Sequence, residues 1–307
     1  MQSMPETPRA DEMQRHDAQQ EMIAFNPIFD AELARRALVE DVGRGDLTTE
    51  ATIPADARAS GRIIARAEGV VAGLPMAALV FRLMDPAVRF TLVAHDGDRV
   101  GRGQTLATLD GDARALLTAE RTALNFLGRL SGVATLAARC AAATAGTRAR
   151  VVDTRKTTPG LRALEKYAVR MGGAANHRSG LDDGILIKDN HIAAAGGLTA
   201  AVTRARAHAS HLIKVEVECE SEAQVREALE TGVDAILLDN MPVEAMTTAV
   251  ALIRERDPRV VIEASGNIGA DPQRLAAVAE TGGDLISLGA LTHSAPVFDV
   301  SLEFDTR

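Results

Sequence analysis

The sequence predicts an α/β protein: a small strand-rich module followed by an incomplete (β/α) barrel of about six parallel strands. Three observations predict it. Beyond residue 148, six short β-branched runs alternate with helical patterns, the order that produces parallel strands joined by right-handed crossovers. Each run starts apolar and finishes polar, and six polar ends fit one shared rim, which a barrel supplies better than an open sheet. Six units fall short of the eight of a complete barrel, so the barrel is expected to be incomplete.

In chain order, residues 1–24 are polar and poor in large apolar side chains, and read as a mobile tail without the apolar core of a signal peptide. "DAELARRALVEDV" reads as a helix from Asp30, with an acidic N-cap. "GRIIARAEG" and "VRFTLVA" read as strands around the helix "LPMAALVFRLMD". The turn-rich "HDGDRVGRGQTLATLDG" resembles the hammerhead motif of lipoyl and biotin carrier domains. Those carriers need a lysine to acylate and this chain has none before Lys156, which argues against a carrier role. "DARALLTAERTALNFLGRLSG" reads as a helix bearing one polar stripe, Arg114, Thr118, Arg121 and Asn125, and "VATLAARCAAAT" as a second helix after it.

The six strand runs are "ARVVDT", "ILIKD", "LIKVEVE", "AILLDN", "VVIEASG" and "LISLG". Between them, "PGLRALEKYAVRMG" places Leu161, Leu164, Ala168 and Met171 on one face, and "PVEAMTTAVALIRE" does the same with Val243, Met246, Val250 and Ile253. "SEAQVREALETG" and "DPQRLAAVAETGG" open on capping residues and close on glycine. The chain then divides into the tail (1–24), an N-terminal domain (25–120 with 290–307) and a barrel domain (121–289).

Composition narrows the function. The net charge is -8 among 307 residues, with no Trp and a single Tyr, which argues against a base-stacking, nucleic-acid-binding surface. No apolar run approaches the roughly 20 residues of a membrane span. Cys140 and Cys219 form no metal or redox pattern and read as reduced thiols of a cytoplasmic protein. Positive charge is written almost wholly as Arg; the four lysines, Lys156, Lys166, Lys188 and Lys214, all fall between 156 and 214. Lys166, mid-helix, reads as a solvated surface residue.

The polar strand ends carry the chemistry. "DTRKTTPG", "NHRSG" and "LIKDNH" contribute Arg155, Lys156, His177, Arg178 and Lys188, a cation cluster suited to a dicarboxylate or polyphosphate. Glu218 and Asp239 follow, able to bind ribose hydroxyls, hold Mg²⁺ or stabilise a developing cation. Ser265, Gly266 and Asn267, with Ser287 and Gly289, bring small residues whose backbone N–H groups can wrap a phosphate. Lys156, Lys188, Glu218 and Asp239 are the candidate catalytic set. Lys214 and Glu216 read as an internal ion-pair ladder.

At these residues the chain resembles the quinolinate phosphoribosyltransferase family. The matching stretches include "EDVGRGDLTT", "ERTALNFLGRLSGVAT", "DTRKTTPGLRALEKYAV", "NHRSGLDDGILIKDNH", "EASGNI" and "ISLGALTHSA", from about residue 28 to 303. Ala174 and Asn267 depart from it, each standing where glycine is common. The resemblance implies an N-terminal α/β sandwich on an incomplete barrel. It also implies transfer of phosphoribose from phosphoribosyl pyrophosphate to quinolinate with loss of CO₂, and Mg²⁺ as cofactor. Subunits are expected to pair head to tail as a homodimer or higher even oligomer, with Arg121 entering the neighbour's barrel to bind a quinolinate carboxylate. Two other readings stay open: a related phosphoribosyltransferase using another acid, and a non-catalytic phosphosugar-binding homologue.

Overall fold

A computed structural model describes residues 27–305. The expected tail lies outside the described residues. The N-terminal part opens with helices α1 (Pro27–Val42) and α2 (Leu47–Thr52). Helix α1 begins three residues before the expected Asp30, which lies buried in its first turn. Asp46 caps α2 by accepting from Thr49 N.

Strands β1 (Arg58–Ala65), β3 (Arg89–Leu92) and β5 (Thr105–Asp112) join β12 (Val300–Phe304) in an antiparallel sheet ordered β12-β1-β5-β3. The C-terminal strand thus returns to the N-terminal module. The two-residue strands β2 (Gly69–Val70) and β4 (Arg99–Val100) form a separate pair. Helix α3 (Leu74–Met84) lies across the module, its apolar residues Leu74, Met76, Ala77, Val80 and Phe81 fully buried.

Helix α4 (Ala113–Ala143) is continuous over 31 residues where the sequence suggested two helices. Ser131-Gly132 looks like a break, but both residues answer to packing. Ser131 Oγ accepts from Ala72 N and donates to Ala72 O. A Cβ on Gly132 would lie 2.0 Å from Pro296 O, so the glycine is where the 296–298 chain crosses the helix. The cost of a mid-helix glycine is about 1 kcal/mol, small beside the burial the crossing allows.

The second sheet contains six parallel strands: β6 (Arg150–Val152), β7 (Ile185–Ile187), β8 (Val215–Cys219), β9 (Ala235–Asp239), β10 (Val261–Ser265) and β11 (Leu285–Ser287). Their order is β6-β11-β10-β9-β8-β7, so the first strand pairs with the last and the sheet curls round. It stays open between β6 and β7. The 174–178 segment fills that seam: Ala175 N bonds Val151 O, and Asp153 N bonds Ala175 O.

Helices α5 (Arg162–Met171), α6 (Asp189–Ala195), α7 (Leu198–His208), α8 (Glu222–Glu230), α9 (Val243–Arg256), α10 (Pro272–Ala279) and α11 (Ala290–His293) complete the chain. Ser221 and Asp271 cap α8 and α10 as expected, accepting from Gln224 N and Arg274 N. Helix α6 and the strand β12 were not expected from sequence. Among the described residues no helix is long and apolar enough to cross a membrane. Cys140 and Cys219 are free and buried, and burial pushes their thiols up to about 11 and about 12.

Lys166 is not a solvated residue. It is 4% exposed, pairs with the fully buried Asp153, and donates to His177 O at 2.9 Å. Asp153 also accepts from Asn176 Nδ2 and His177 N. Burial raises the Asp153 carboxyl despite Lys166 beside it. The helical period of α5 marks Leu164 and Ala168 as core, but its other face meets the barrel seam and Arg129 rather than water. Glu165, 0% exposed, accepts there from Arg129 Nη2 at 2.8 Å and from Thr158 N and Oγ.

Candidate active site

The parallel register sets the site. Ser265 stands beside Asp239, Glu218 beside Leu237, and Ser287 beside Val152, so the polar strand ends meet at one mouth. There they enclose a cavity of about 430 Å³. Of the residues expected from sequence, it is lined by Arg155, Lys156, His177, Arg178, Lys188, Glu218, Asp239, Ser265, Gly266, Asn267 and Ser287. Gly289 stands just behind: a Cβ there would meet Lys156 Cδ at 2.9 Å, so the glycine gives that side chain its path. Arg121 is absent from the lining. It is exposed on α4, as is Asn125, whereas Arg114 is tied to Ile53 O and Thr118 to Asp46 Oδ2.

Charge in the cavity is unevenly matched. Lys188 Nζ bonds Glu218 Oε2 at 2.7 Å. Arg178 Nη1 donates to Gly184 O at 2.9 Å, and no carboxylate pairs with Arg155, Lys156 or Arg178 among the described residues. Arg155 Nε–H is buried with no hydrogen-bond acceptor opposite it among the described residues. Burial first, then the neighbouring Arg155 charge, lowers the Arg178 guanidinium. A buried guanidinium N–H without a partner is expensive, and an anion entering the cavity would satisfy it.

The 265–267 turn is held from the next strand. Asn240 N bonds Ser265 O, Asn267 Nδ2 bonds Asn240 Oδ1 at 3.0 Å, and Asn240 Nδ2 bonds Asp239 Oδ2 at 2.6 Å. Gly266 has φ +85°, and a Cβ on it would lie 2.6 Å from Asn240 N, so only glycine fits. Asn267 has φ 46°. That left-handed backbone explains why glycine is common here, and asparagine is among the side chains that tolerate it best. Ala174 needs no glycine; it is half-buried against the core with ordinary φ.

Sequence reasoning missed four participants: Thr154 and Asn240, which line the cavity, and Glu216 and Glu263, which meet His177. The expected Lys214–Glu216 ladder does not form. Lys214 is exposed, while Glu216 Oε2 lies 3.3 Å from His177 Nε2. Asn240 was signalled by its place directly after a strand end, in a left-handed position (φ 54°).

For a divalent ion, the residues present fit unequally. Glu218 is already engaged by Lys188, which disfavours it as a ligand. Asp239 has no cationic partner among the described residues and offers hard carboxylate oxygens of the kind a divalent ion takes.

An incomplete barrel with cations and carboxylates converging on its strand-end mouth defines a barrel enzyme for polyanionic substrates. Residues 46–131 match the N-terminal domain of quinolinate phosphoribosyl transferase, and residues 133–303 match its C-terminal domain. The chain belongs to the quinolinate phosphoribosyltransferase family. It is 47% identical over 266 residues to a Synechocystis protein named "probable nicotinate-nucleotide pyrophosphorylase [carboxylating]", covering 87% of this chain and 89% of that one. It is 45% identical to the Mycobacterium leprae nicotinate-nucleotide pyrophosphorylase [carboxylating], over 90% and 98% of the two chains. The crystal structure of NadC from Streptococcus pyogenes is 43% identical, with a TM-score of 0.86 over 92% of this chain and 99% of that one.

Proposed function

We propose that this chain transfers phosphoribose from phosphoribosyl pyrophosphate to quinolinate and releases pyrophosphate and CO₂, giving nicotinate mononucleotide for NAD biosynthesis. The observation that carries the reading is the surplus of Arg155, Lys156 and Arg178, three cations without carboxylate partners among the described residues, in the cavity that also holds Glu218 and Asp239. A dicarboxylate matches such a surplus better than a monocarboxylate does, because each added charge-assisted bond satisfies another donor.

Arg155, Lys156 and Arg178 receive the two carboxylates and orient the pyridine ring. The Ser265-Gly266-Asn267 turn and Ser287 receive phosphate oxygens. As the C1–pyrophosphate bond breaks, positive charge grows on the ribose, and Glu218 and Asp239 stabilise it. Lys188 fixes Glu218 for that task. The pyridine nitrogen forms the new bond to C1 without any general base, because it carries no proton. The C2–carboxylate bond then breaks, its electron pair stays on C2 beside the positive nitrogen, and C2 takes a proton from water. A bound Mg²⁺ supplies charge neutralisation to the pyrophosphate, and Asp239 is the residue suited to hold it.

The same reading includes a cytoplasmic homodimer with a site shared between subunits. Its support is Arg121 and Asn125, exposed one turn apart on α4, where Arg114, Thr118 and Arg129 of the same helix are tied to other parts of the chain. The test of function is pyrophosphate and CO₂ release from quinolinate, with and without phosphoribosyl pyrophosphate and with nicotinate as the competing acid. Pyrophosphate release from nicotinate without CO₂ production from quinolinate would overturn it.

A further inference from the structure

Strands β9 and β10 end together. Asp239 and Ser265 are their last paired residues, and one residue further both chains turn left-handed, Asn240 with φ 54° and Gly266 with φ 85°. The two positions interlock. A Cβ on Gly266 would lie 2.5 Å from Asn240 Cγ and 2.6 Å from Asn240 N, so the asparagine occupies the room that the glycine leaves. Asn240 N also donates to Ser265 O at 3.1 Å. Asp239, Asn240, Gly266 and Asn267 all line the cavity.

From this seat the Asn240 side chain meets both strand ends. Nδ2 donates to Asp239 Oδ2 at 2.6 Å, and Oδ1 accepts from Asn267 Nδ2 at 3.0 Å. A carboxylate only accepts, so the amide must turn Nδ2 toward Asp239, which leaves Oδ1 for Asn267.

We infer that Asn240 is a positioning residue for the phosphoribosyl half of the reaction: its amide sets the Asp239 carboxylate and seats the 265–267 turn, so that the ribose and its phosphate meet one preformed piece. The inference rests on the reading of Asp239 and that turn as the ribose and phosphate contacts.

The chemistry of the grip accounts for the residue type. Glu218, the other carboxylate, is held by Lys188 Nζ at 2.7 Å, a cation that offsets the charge it orients. Asn240 orients Asp239 with a neutral donor, which fixes the carboxylate and leaves its charge uncompensated. A group that meets positive charge growing on a ribose needs its own charge intact and its geometry set beforehand. Aspartate at position 240 would tolerate the left-handed backbone and accept from Asn267, but it has no N–H for Asp239 and would add a second negative charge beside it. Glycine would suit the backbone and supply neither bond. Of the three, asparagine meets every requirement.

The test compares Asn240→Gly with Asn240→Asp in the full-length enzyme. Asn240→Gly keeps the backbone N–H to Ser265 and suits its φ, so a urea midpoint close to that of wild type is expected. Its kcat at saturating substrates should fall about tenfold, the lower end of what losing one hydrogen bond to a charged group costs. Its quinolinate affinity by calorimetry should stay within about twofold, because the change is local and spares Arg155, Lys156 and Arg178. Asn240→Asp should not rescue turnover, although size and the Asn267 bond are kept. Wild-type kcat in either variant would overturn the inference. So would parallel losses of stability and of affinity for both substrates, the mark of a merely structural residue. The bond itself is read by ¹⁵N NMR of the Asn240 side-chain amide. One of its two protons should lie downfield of the other and return upfield in Asp239→Ala; two protons that move alike, or not at all, would overturn the inference too. If wild type releases no pyrophosphate from phosphoribosyl pyrophosphate and quinolinate, the functional reading fails, and the amide signal still decides whether Asn240 holds Asp239.

Discussion

Asp153 and Arg155 stand two residues apart, and their charges are treated in opposite ways. Asp153 is fully buried and fully met, by Lys166, Asn176 and the His177 N–H. Arg155 faces the cavity with a buried Nε that nothing meets. The first network closes the seam between β6 and β7; the second waits for an anion. Matched charge here is architecture, and unmatched charge is a site. Burial alone does not separate the two; the partner census does.

The comparison can be broken from either side. Lys166→Met leaves Asp153 buried without its cation, and should lower the unfolding free energy by about 3–5 kcal/mol. Urea denaturation measures it, and a loss under about 1 kcal/mol would mean that water or Asn176 already satisfies the carboxylate. Arg155→Ala and Arg178→Ala should leave stability nearly untouched and weaken quinolinate by about 2–5 kcal/mol, with phosphoribosyl pyrophosphate much less affected. Calorimetric titration with each substrate separates the two outcomes.

Arg121 extends the contrast to the surface, as a further cation without a carboxylate partner among the described residues. Arg121→Ala and Lys156→Ala should each be nearly inactive alone. Mixed under subunit exchange, each mixed dimer should recover up to about half the activity of a wild-type dimer, because one site collects both defects and the other neither. Absence of recovery in mixed dimers verified by native mass spectrometry would place Arg121 outside a shared site. The smallest effect is expected from Asn267→Gly. It relieves a left-handed asparagine and removes one side-chain bond to Asn240, so stability should move by no more than about 1 kcal/mol. A larger loss would show that the Asn267–Asn240 bond holds the turn.

Much of this was legible in the sequence because local pattern and global role coincide. Six β-branched runs ending in polar residues describe six strands sharing one rim, and eleven of the thirteen residues singled out line the cavity. What escaped was set by partners distant in the chain. Ser131-Gly132 reads as a helix break until residues 296–298 are known to cross there. Lys166 reads as solvated because helical period identifies the apolar face, and says nothing of what the opposite face meets. Glu216 was assigned to Lys214, two residues before it in the sequence, since the chain order gives no hint that His177 would arrive from the seam.

Helix α4 spans about 46 Å at the usual rise per residue, and this length has a mechanical meaning. Eight residues beyond Arg121, about 12 Å along the same rod, Arg129 reaches Thr158 Oγ, Glu165 and the carbonyls of Thr292 and Ala295. Thr292 in turn bonds Lys156 O through its hydroxyl. A rigid rod transmits position without needing to bend. A surface that docked at Arg121 would therefore dock in fixed register with the loop that carries Lys156.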